Sequence, residues 1–419
     1  MSRSASYAHT ATAPSAAQSL IPAQGNGRRL QQRLSILQQE VAEIVTEAAE
    51  TGNHTNGPRV QALEEAFKGY LKVADAIAVN SGSSALRAAC ELLRLPPGSE
   101  IIIPAYTFIM TAYSVNDAFA VDPQSGTFTK GGLTPVFVDI DPQTYTLDPA
   151  SVREALSERT AAIIAVHMLG QMADMRPLLD LADEYRLFVI EDAAQAHGAT
   201  YCDPRTNHIY AAGSMGDCGC FSLSDVKNIG SMGSDAGLLT LTTRLGSRLP
   251  SLSAEARAWR NTGRLGRHRY EHQTWGIRAR MDEYSAAECL AQLRSLDRWV
   301  ARRQQIAARY SAALAGTSFT APYIAPGRRH AFFNYMVKAP TLEARHLLES
   351  RLRAAGIQVA DTYSVVPDQP LYRQGLLPCR IVAAERAREI AQLLVAIPCY
   401  PELREEEIAR IEEVLSHCP

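Results

Sequence analysis

The sequence predicts an α/β fold, a mostly parallel sheet flanked by helices, followed by a smaller α+β domain. Three observations carry this. From residue 76 onward, short apolar runs alternate with helix-periodic segments, the pattern of repeated strand–helix units. Several runs (AIAV at 76–79, EIII at 100–103, AAIIAV at 161–166, LFVIE at 187–191) are apolar without alternation, as a parallel strand covered on both faces requires. Near residue 252 the alternation gives way to longer helical segments. The 419 residues therefore divide into a disordered tail at 1–27, a large α/β domain at 28–251 and a small C-terminal α+β domain at 252–419.

The elements follow in order. Residues 30–49 carry apolar side chains at helical spacing; 51–58 (TGNHTNGP) read as a loop, dense in Gly, Asn and Pro; helical spacing resumes over 60–70. The strand at 76–79 runs through Asn80-Ser81-Gly82 into a helix at 84–93, and the strand at 100–103 is stopped by Pro104. Residues 116–133 read as a loop, long for a crossover, and long loops are disproportionately functional. Strands at 135–139, 161–166 and 187–191 alternate with helices at 151–156 and 175–185, and 218–223 and 236–241 add two strands. Beyond 252, helices are expected at 254–261, 282–315, 381–396 and 405–415, and strands at 332–338 and 359–366.

Composition narrows the function classes. Lys and Arg total 42 against 44 Asp and Glu, a net charge of −2, which offers no electrostatic footprint for nucleic acid or an anionic membrane. No apolar run approaches the ~18–20 residues that span a bilayer, and the polar, small-residue start lacks a secretory segment, so a cytoplasmic protein is expected. The eight cysteines are scattered without a CxxC pair, which fits reduced thiols; the lone CxC at Cys218 and Cys220 has no second ligand pair, and no metal is expected.

In an open parallel sheet, ligands bind at the carboxyl ends of the strands. The polar residues that follow the strands are Gly82, Ser83 and Ser84; Tyr106, Thr107 and Phe108; His167; Asp192 and Gln195; and Ser222 and Lys227. Each has an ordinary structural reading: a helix N-cap for the Gly-Ser-Ser turn, a cap for Asp192, core for Phe108, solvated surface for Lys227, a packed and hydrogen-bonded ring for His167. Together they fit one chemistry. A phosphate seat at a helix start, a carboxylate, a flat aromatic and a lysine are what pyridoxal 5′-phosphate requires.

The chain also resembles the DegT/DnrJ/EryC1/StrS family of pyridoxal-phosphate-dependent sugar aminotransferases. The stretches that carry the resemblance are TNGPRVQALEEAF, VNSGSSAL, EIIIPAYTFIMTAYSV, TPVFVDIDPQTYTLDP, AIIAVHMLGQMADM, FVIEDAAQAHGA, FSLSDVKNIG and RMDEYSAAECLAQL. It implies an aspartate-aminotransferase-like fold (fold type I) and a homodimer with its sites at the interface. Carried over position by position, it implies Lys227 as the lysine that forms the internal aldimine and acts as general base, and Asp192 as partner of the pyridinium nitrogen. Gln195 is implied at the ring hydroxyl, Phe108 stacked on the ring, and Gly82, Ser83, Ser84 and Ser222 around the phosphate. Where the family reads GYNxR, this chain has Arg278 in place of the asparagine that reaches the phosphate from the neighbouring subunit, and a guanidinium suits that task. Thr262 replaces the family's usual histidine, and the 116–133 segment is longer than the family's connection and is read as a wall of the substrate pocket.

The implied reaction moves an amino group from L-glutamate or L-glutamine to the keto carbon of a nucleotide-linked ketosugar or sugar-like cyclic ketone, in natural-product or surface-sugar biosynthesis. Two alternatives stand beside it: a dehydratase or aromatase acting on a cyclic ketone with the same cofactor, and a non-catalytic ligand-binding regulator.

Overall fold

A computed structural model describes residues 20–52, 54–232, 235–266 and 270–418. The chain opens with helices α1 (Asn26–Thr51) and α2 (Pro58–Leu71). The main sheet has eight strands: β1 (Asp75–Val79), β2 (Glu100–Pro104), β3 (Thr134–Val138), β4 (Thr160–Val166), β5 (Phe188–Asp192), β6 (Cys218–Ser222), β7 (Gly237–Leu241) and β8 (Arg380–Ile381). Their order is β1-β7-β6-β5-β4-β2-β3-β8; β7 runs antiparallel to both its neighbours and the other pairs are parallel. Side chains alternate between two cores. Ile101, Ile103, Ile164 and Ile190 join one, and Ile102, Ile163, Ala165 and Val189 the other. A strand with an apolar core on each face has no side to leave polar, which is why these runs show no alternation.

Helices α3 (Gly82–Leu92), α4 (Ile109–Asp117), α5 (Pro149–Ala155) and α6 (Met175–Tyr185) connect the parallel strands. After β7 come α7 (Leu249–Trp259), α8 (Glu283–Leu293), α9 (Leu296–Ala313), α10 (Leu342–Ala354), α11 (Glu385–Leu393) and α12 (Glu405–Ser416). A third core gathers α9, α10, α12 and a two-stranded ribbon, Tyr335–Lys338 against Leu394–Ile397. Among the described residues no helix is long and apolar enough to cross a membrane.

Several elements differ from the sequence reading. Residues 116–133 are no open loop: Phe119–Val121 and Phe128–Lys130 pair as a hairpin, pinned by Phe119 against Trp275 at 4.3 Å between ring centroids. The expected helix at 282–315 is two, broken around Ser295. The expected helix at 381–396 keeps its middle as α11 but surrenders both ends to strands, since Leu394–Ile397 is buried throughout and suits a ribbon better than an exposed-faced helix. The expected strand at 359–366 makes only an isolated bridge at Ala360 and then turns at Val366–Asp368, where Pro367 cannot donate to a ladder. The strand expected at 332–338 starts only at Tyr335, because Phe332 adopts a left-handed backbone (φ 45°). Of the tail expected over 1–27, residues 1–19 lie outside the described residues. Ile21 is fully buried, its backbone bonded to Gly356 and Gln358.

One long-range device ties the start of the chain to its second half. The buried Glu283 carboxylate accepts from the backbone N–H groups of Gly57 (2.8 Å), Arg59 (3.0 Å) and Val60 (3.3 Å) at the N-terminus of α2. These are donors that a helix start leaves unsatisfied, and a carboxylate there also meets the positive end of the helix dipole. Glu283→Ala leaves buried donors without acceptors. It is expected to destabilise the protein by about 1–3 kcal/mol, read as a lower urea midpoint, with Glu283→Gln recovering part of the loss.

Candidate active site

The carboxyl ends of β1, β2, β5 and β6 converge on a cavity of about 260 Å³. It is lined by Gly82, Ser83, Phe108, Asp192, Gln195, Ser222 and Lys227, together with Ser81, Thr111, Asp235 and Tyr363. Of the nine residues that the sequence assigns to the cofactor, seven line this cavity and two, Ser84 and Arg278, stand outside it. Ser84 spends its N–H on the Ser81 hydroxyl (3.0 Å) and its own hydroxyl on Asn80 Oδ1 (2.7 Å), and faces an adjoining cleft. Arg278 is exposed, on a segment docked to β1 through Asn80 N–H and Ala279 O (3.0 Å).

The phosphate-seat reading of the Gly-Ser-Ser turn has a steric mark. A Cβ built on Gly82 would stand 2.7 Å from Ser222 Cβ, and one on Gly237 would stand 2.3 Å from the Ser81 carbonyl. Three strand ends approach so closely there that only glycine fits, and Gly82 and Ser83, whose N–H groups have no intrahelical acceptor, line the cavity at the start of α3. The Ser222 hydroxyl lies beside them, 3.4 Å from Ser224 Oγ.

Asp192 ends β5 and is buried. Its Oδ2 accepts from the Thr111 hydroxyl (2.8 Å) and its Oδ1 from Ala194 N–H (3.2 Å). Burial raises its pKa, against the pull of Thr111, Ala194, Lys227 and His167. Lys227 is its counterpart. Burial lowers its pKa to about 8, while the charges of Asp192 and Asp235 act the other way. An amine in this state is in part a free base near neutral pH, ready to attack a carbonyl or take a proton.

Gln195 Oε1 accepts from Leu169 N–H (2.8 Å), which fixes the amide and leaves its N–H donors for the cavity. Phe108 is 51% exposed at the mouth, its ring 6.0 Å from that of Tyr363; a half-bare aromatic face at a cavity mouth suits a flat ring. His167 keeps its structural reading. Nδ1 accepts from Ala173 N–H (3.2 Å), so Nε2 carries the proton and meets Glu191 at 2.7 Å, both side chains fully buried.

The sequence reading missed residues supplied from far along the chain. Tyr363 reaches the cavity from the second half, its hydroxyl pushed up to about 12 by burial and by Asp192, and so a neutral donor. Phe333 places its ring 4.6 Å from Lys227 Nζ. Neither lies at a strand end nor in a motif, so no local signal marked them. Thr111, one helical turn beyond Phe108, was within reach of the strand-end argument.

The donor set fits pyridoxal phosphate: anion-binding amides and hydroxyls at one end, a carboxylate and a lysine at the other, and an aromatic face between. Comparison with known proteins agrees. The family model described as the DegT/DnrJ/EryC1/StrS aminotransferase family matches residues 35–416. The chain is 33% identical over 382 residues to a dTDP-3-amino-3,4,6-trideoxy-alpha-D-glucose transaminase of Streptomyces venezuelae, covering 90% of this chain and 91% of that protein. It is 32% identical to a Geobacillus stearothermophilus protein named a pleiotropic regulatory protein, covering 93% and 98%. Among solved structures, S. venezuelae DesV in complex with a ketimine intermediate superposes with a TM-score of 0.82 at 30% identity, covering 95% of this chain and 98% of that one. Strand order, cavity and sequence agree on one assignment, and this chain is a member of the DegT/DnrJ/EryC1/StrS aminotransferase family.

Proposed function

We propose that this aminotransferase moves the amino group of L-glutamate or L-glutamine to the keto carbon of a nucleotide-linked ketosugar or a sugar-like cyclic ketone, using pyridoxal 5′-phosphate, as a cytoplasmic homodimer. The carrying observation is the convergence of Lys227, Asp192, Phe108, Gln195, Gly82 and Ser222 on one cavity. Relatives named for dTDP-, UDP- and GDP-linked amino sugars support the acceptor class.

Bound there, the cofactor supplies an aldehyde and a protonated ring that draws electron density from the donor's α-carbon. The chain's own residues do the rest. The first amides of α3, the Ser83 side chain and the Ser222 hydroxyl hold the phosphate. The Asp192 carboxylate, oriented by Thr111 and Ala194, keeps the ring nitrogen protonated. Gln195 would donate to the ring hydroxyl, and Phe108 would offer its face to the ring. Lys227 Nζ would be the amine that anchors the aldehyde and, when free, the base that carries the proton taken from the donor's α-carbon. Arg278, which is exposed, suits a guanidinium that reaches the cofactor phosphate of the neighbouring subunit, and Arg280 beside it is a candidate contact for a nucleotide diphosphate.

The purified protein is expected to be yellow, and bleached by L-glutamate or L-glutamine; Lys227→Ala is expected to resist bleaching. A yellow protein that neither donor bleaches would move the dehydratase or aromatase reading ahead. Asp192→Asn, which cannot hold the ring proton by charge, is expected to slow the donor half-reaction by roughly 10²–10³-fold while the protein stays folded by circular dichroism. Because the lysine acts as its free base, the rate at which cofactor-free protein captures pyridoxal phosphate is expected to rise with pH through about 8. A profile still rising at pH 10 would contradict the buried-amine account.

A further inference from the structure

Lys227 is met on one side by a device built from two strained turns. Leu169 and Phe332 are both non-glycine residues in the left-handed region, at φ 59° and 45°. Their turns interlock: Ala331 N–H donates to Gly170 O (2.7 Å), and a Cβ on Gly170 would lie 2.8 Å from the backbone nitrogens of both Phe332 and Phe333. Backbone strain of this kind persists only where its surroundings over-determine it, and it concentrates at functional sites. Both turns carry a side chain or bond used at the cavity. Leu169 N–H orients Gln195, and the other turn presents the Phe333 ring 4.6 Å from Lys227 Nζ. The lysine loop is tied to the same brace, since Asn228 Nδ2 donates to Ala331 O at 3.3 Å. Behind Phe333, Ala23–Gly25 and Tyr400 close in across a void of about 20 Å³, so the ring has little room to retreat.

We infer that Phe333 is a positioning residue for Lys227: the face of its ring holds the side-chain ammonium in place and favours its charged form. The inference rests on the reading of Lys227 as the reactive amine. A cation over an aromatic face is attracted by the ring quadrupole, and more strongly where water is excluded. Among the described residues, the charged or titratable groups around Lys227 include Asp192 and Asp235, which also favour the ammonium, His197, which burial holds down at about 3 and so keeps neutral, and Tyr363 across the cavity, pushed up to about 12 and so neutral as well. Burial works against the ammonium and lowers the pKa of the amine. Phe333 adds to the carboxylates a charge-free attraction that neither screens nor titrates.

The test is the pH profile of Lys227 itself, which needs no cofactor to read. The full-length protein, cleared of cofactor with phenylhydrazine, is labelled with trace acetic anhydride from pH 6 to 11, and the Lys227 peptide is quantified by mass spectrometry. Phe333→Leu, similar in bulk without a π face, is expected to lower the labelling midpoint by about half a unit to one unit. At pH 7, starting from a midpoint near 8, that makes Lys227 roughly three to five times more reactive. Phe333→Tyr, which keeps the face, is expected to stay at the wild-type midpoint. Should Phe333→Leu not fold, Phe333→Met is read in its place. A midpoint that stays put, or rises, in the variant lacking the ring overturns the inference. Because the labelling requires no pyridoxal phosphate, it decides this even if the donor fails to bleach the protein and the proposed reaction is abandoned.

Discussion

Burying an amine and a carboxylate together at the dry edge of one sheet is the constraint on which the rest of this molecule is arranged. Each is costly to desolvate alone. The structure answers with hydrogen bonds for the carboxylate, two of them from α4 and the turn beyond β5, and with a weakened base for the amine. The cost is useful because it leaves both groups short of their ordinary protonation preferences. The strand order serves the same end: adjacent parallel strands β5 and β6 pair Asp192 with Cys220 and carry Ser222 two residues further along the same edge, with β7 closing the seat against Ser81.

The edge is completed from a distance. Tyr363 and Phe333 come from the chain's second half, and Arg380 in β8 joins the main sheet beside β3, ion-paired to the buried Glu100 at 2.7 Å. The two halves are therefore continuous at the cavity and at the sheet. Glu283, capping α2 from the start of α8, does the same at the opposite end of the sequence. Removing water from the lysine needs walls on every side, and the parallel strands and their crossover helices supply only some of them.

What was legible in the sequence follows from this division. The central strands were readable because two buried faces demand uninterrupted apolar runs, and Asp192, Gln195, Phe108, Ser222 and Lys227 were readable because the carboxyl edge is where such a sheet exposes function. The elements misread were those whose form depends on tertiary partners: the ribbon strand Leu394–Ile397, which needs Tyr335–Lys338 beside it, and the hairpin over 119–130, which needs Trp275 beneath it. Phe333 and Tyr363 lay beyond local reading altogether, since nothing in their own neighbourhood says which cavity their backbone will face. Ser84 shows the converse. It sits in the same turn as Gly82 and Ser83, yet its hydroxyl donates to Asn80, a partner that spacing alone does not reveal.

The antiparallel direction of β7 has a consequence for the lysine. A parallel neighbour would have required a long crossover and left Lys227 on a wide-ranging connection. Instead, Ser222 pairs with Gly237, and Leu223 N–H is bonded to Ala236 O at 2.7 Å. The segment bearing the lysine is thus a ring closed at its base by the sheet's own ladder. Closing it is entropically prepaid when the sheet forms, so the reach of the amine is limited by the circumference of that ring. A residue gained or lost anywhere along it would change where Nζ can travel, even at a position that touches neither cofactor nor substrate.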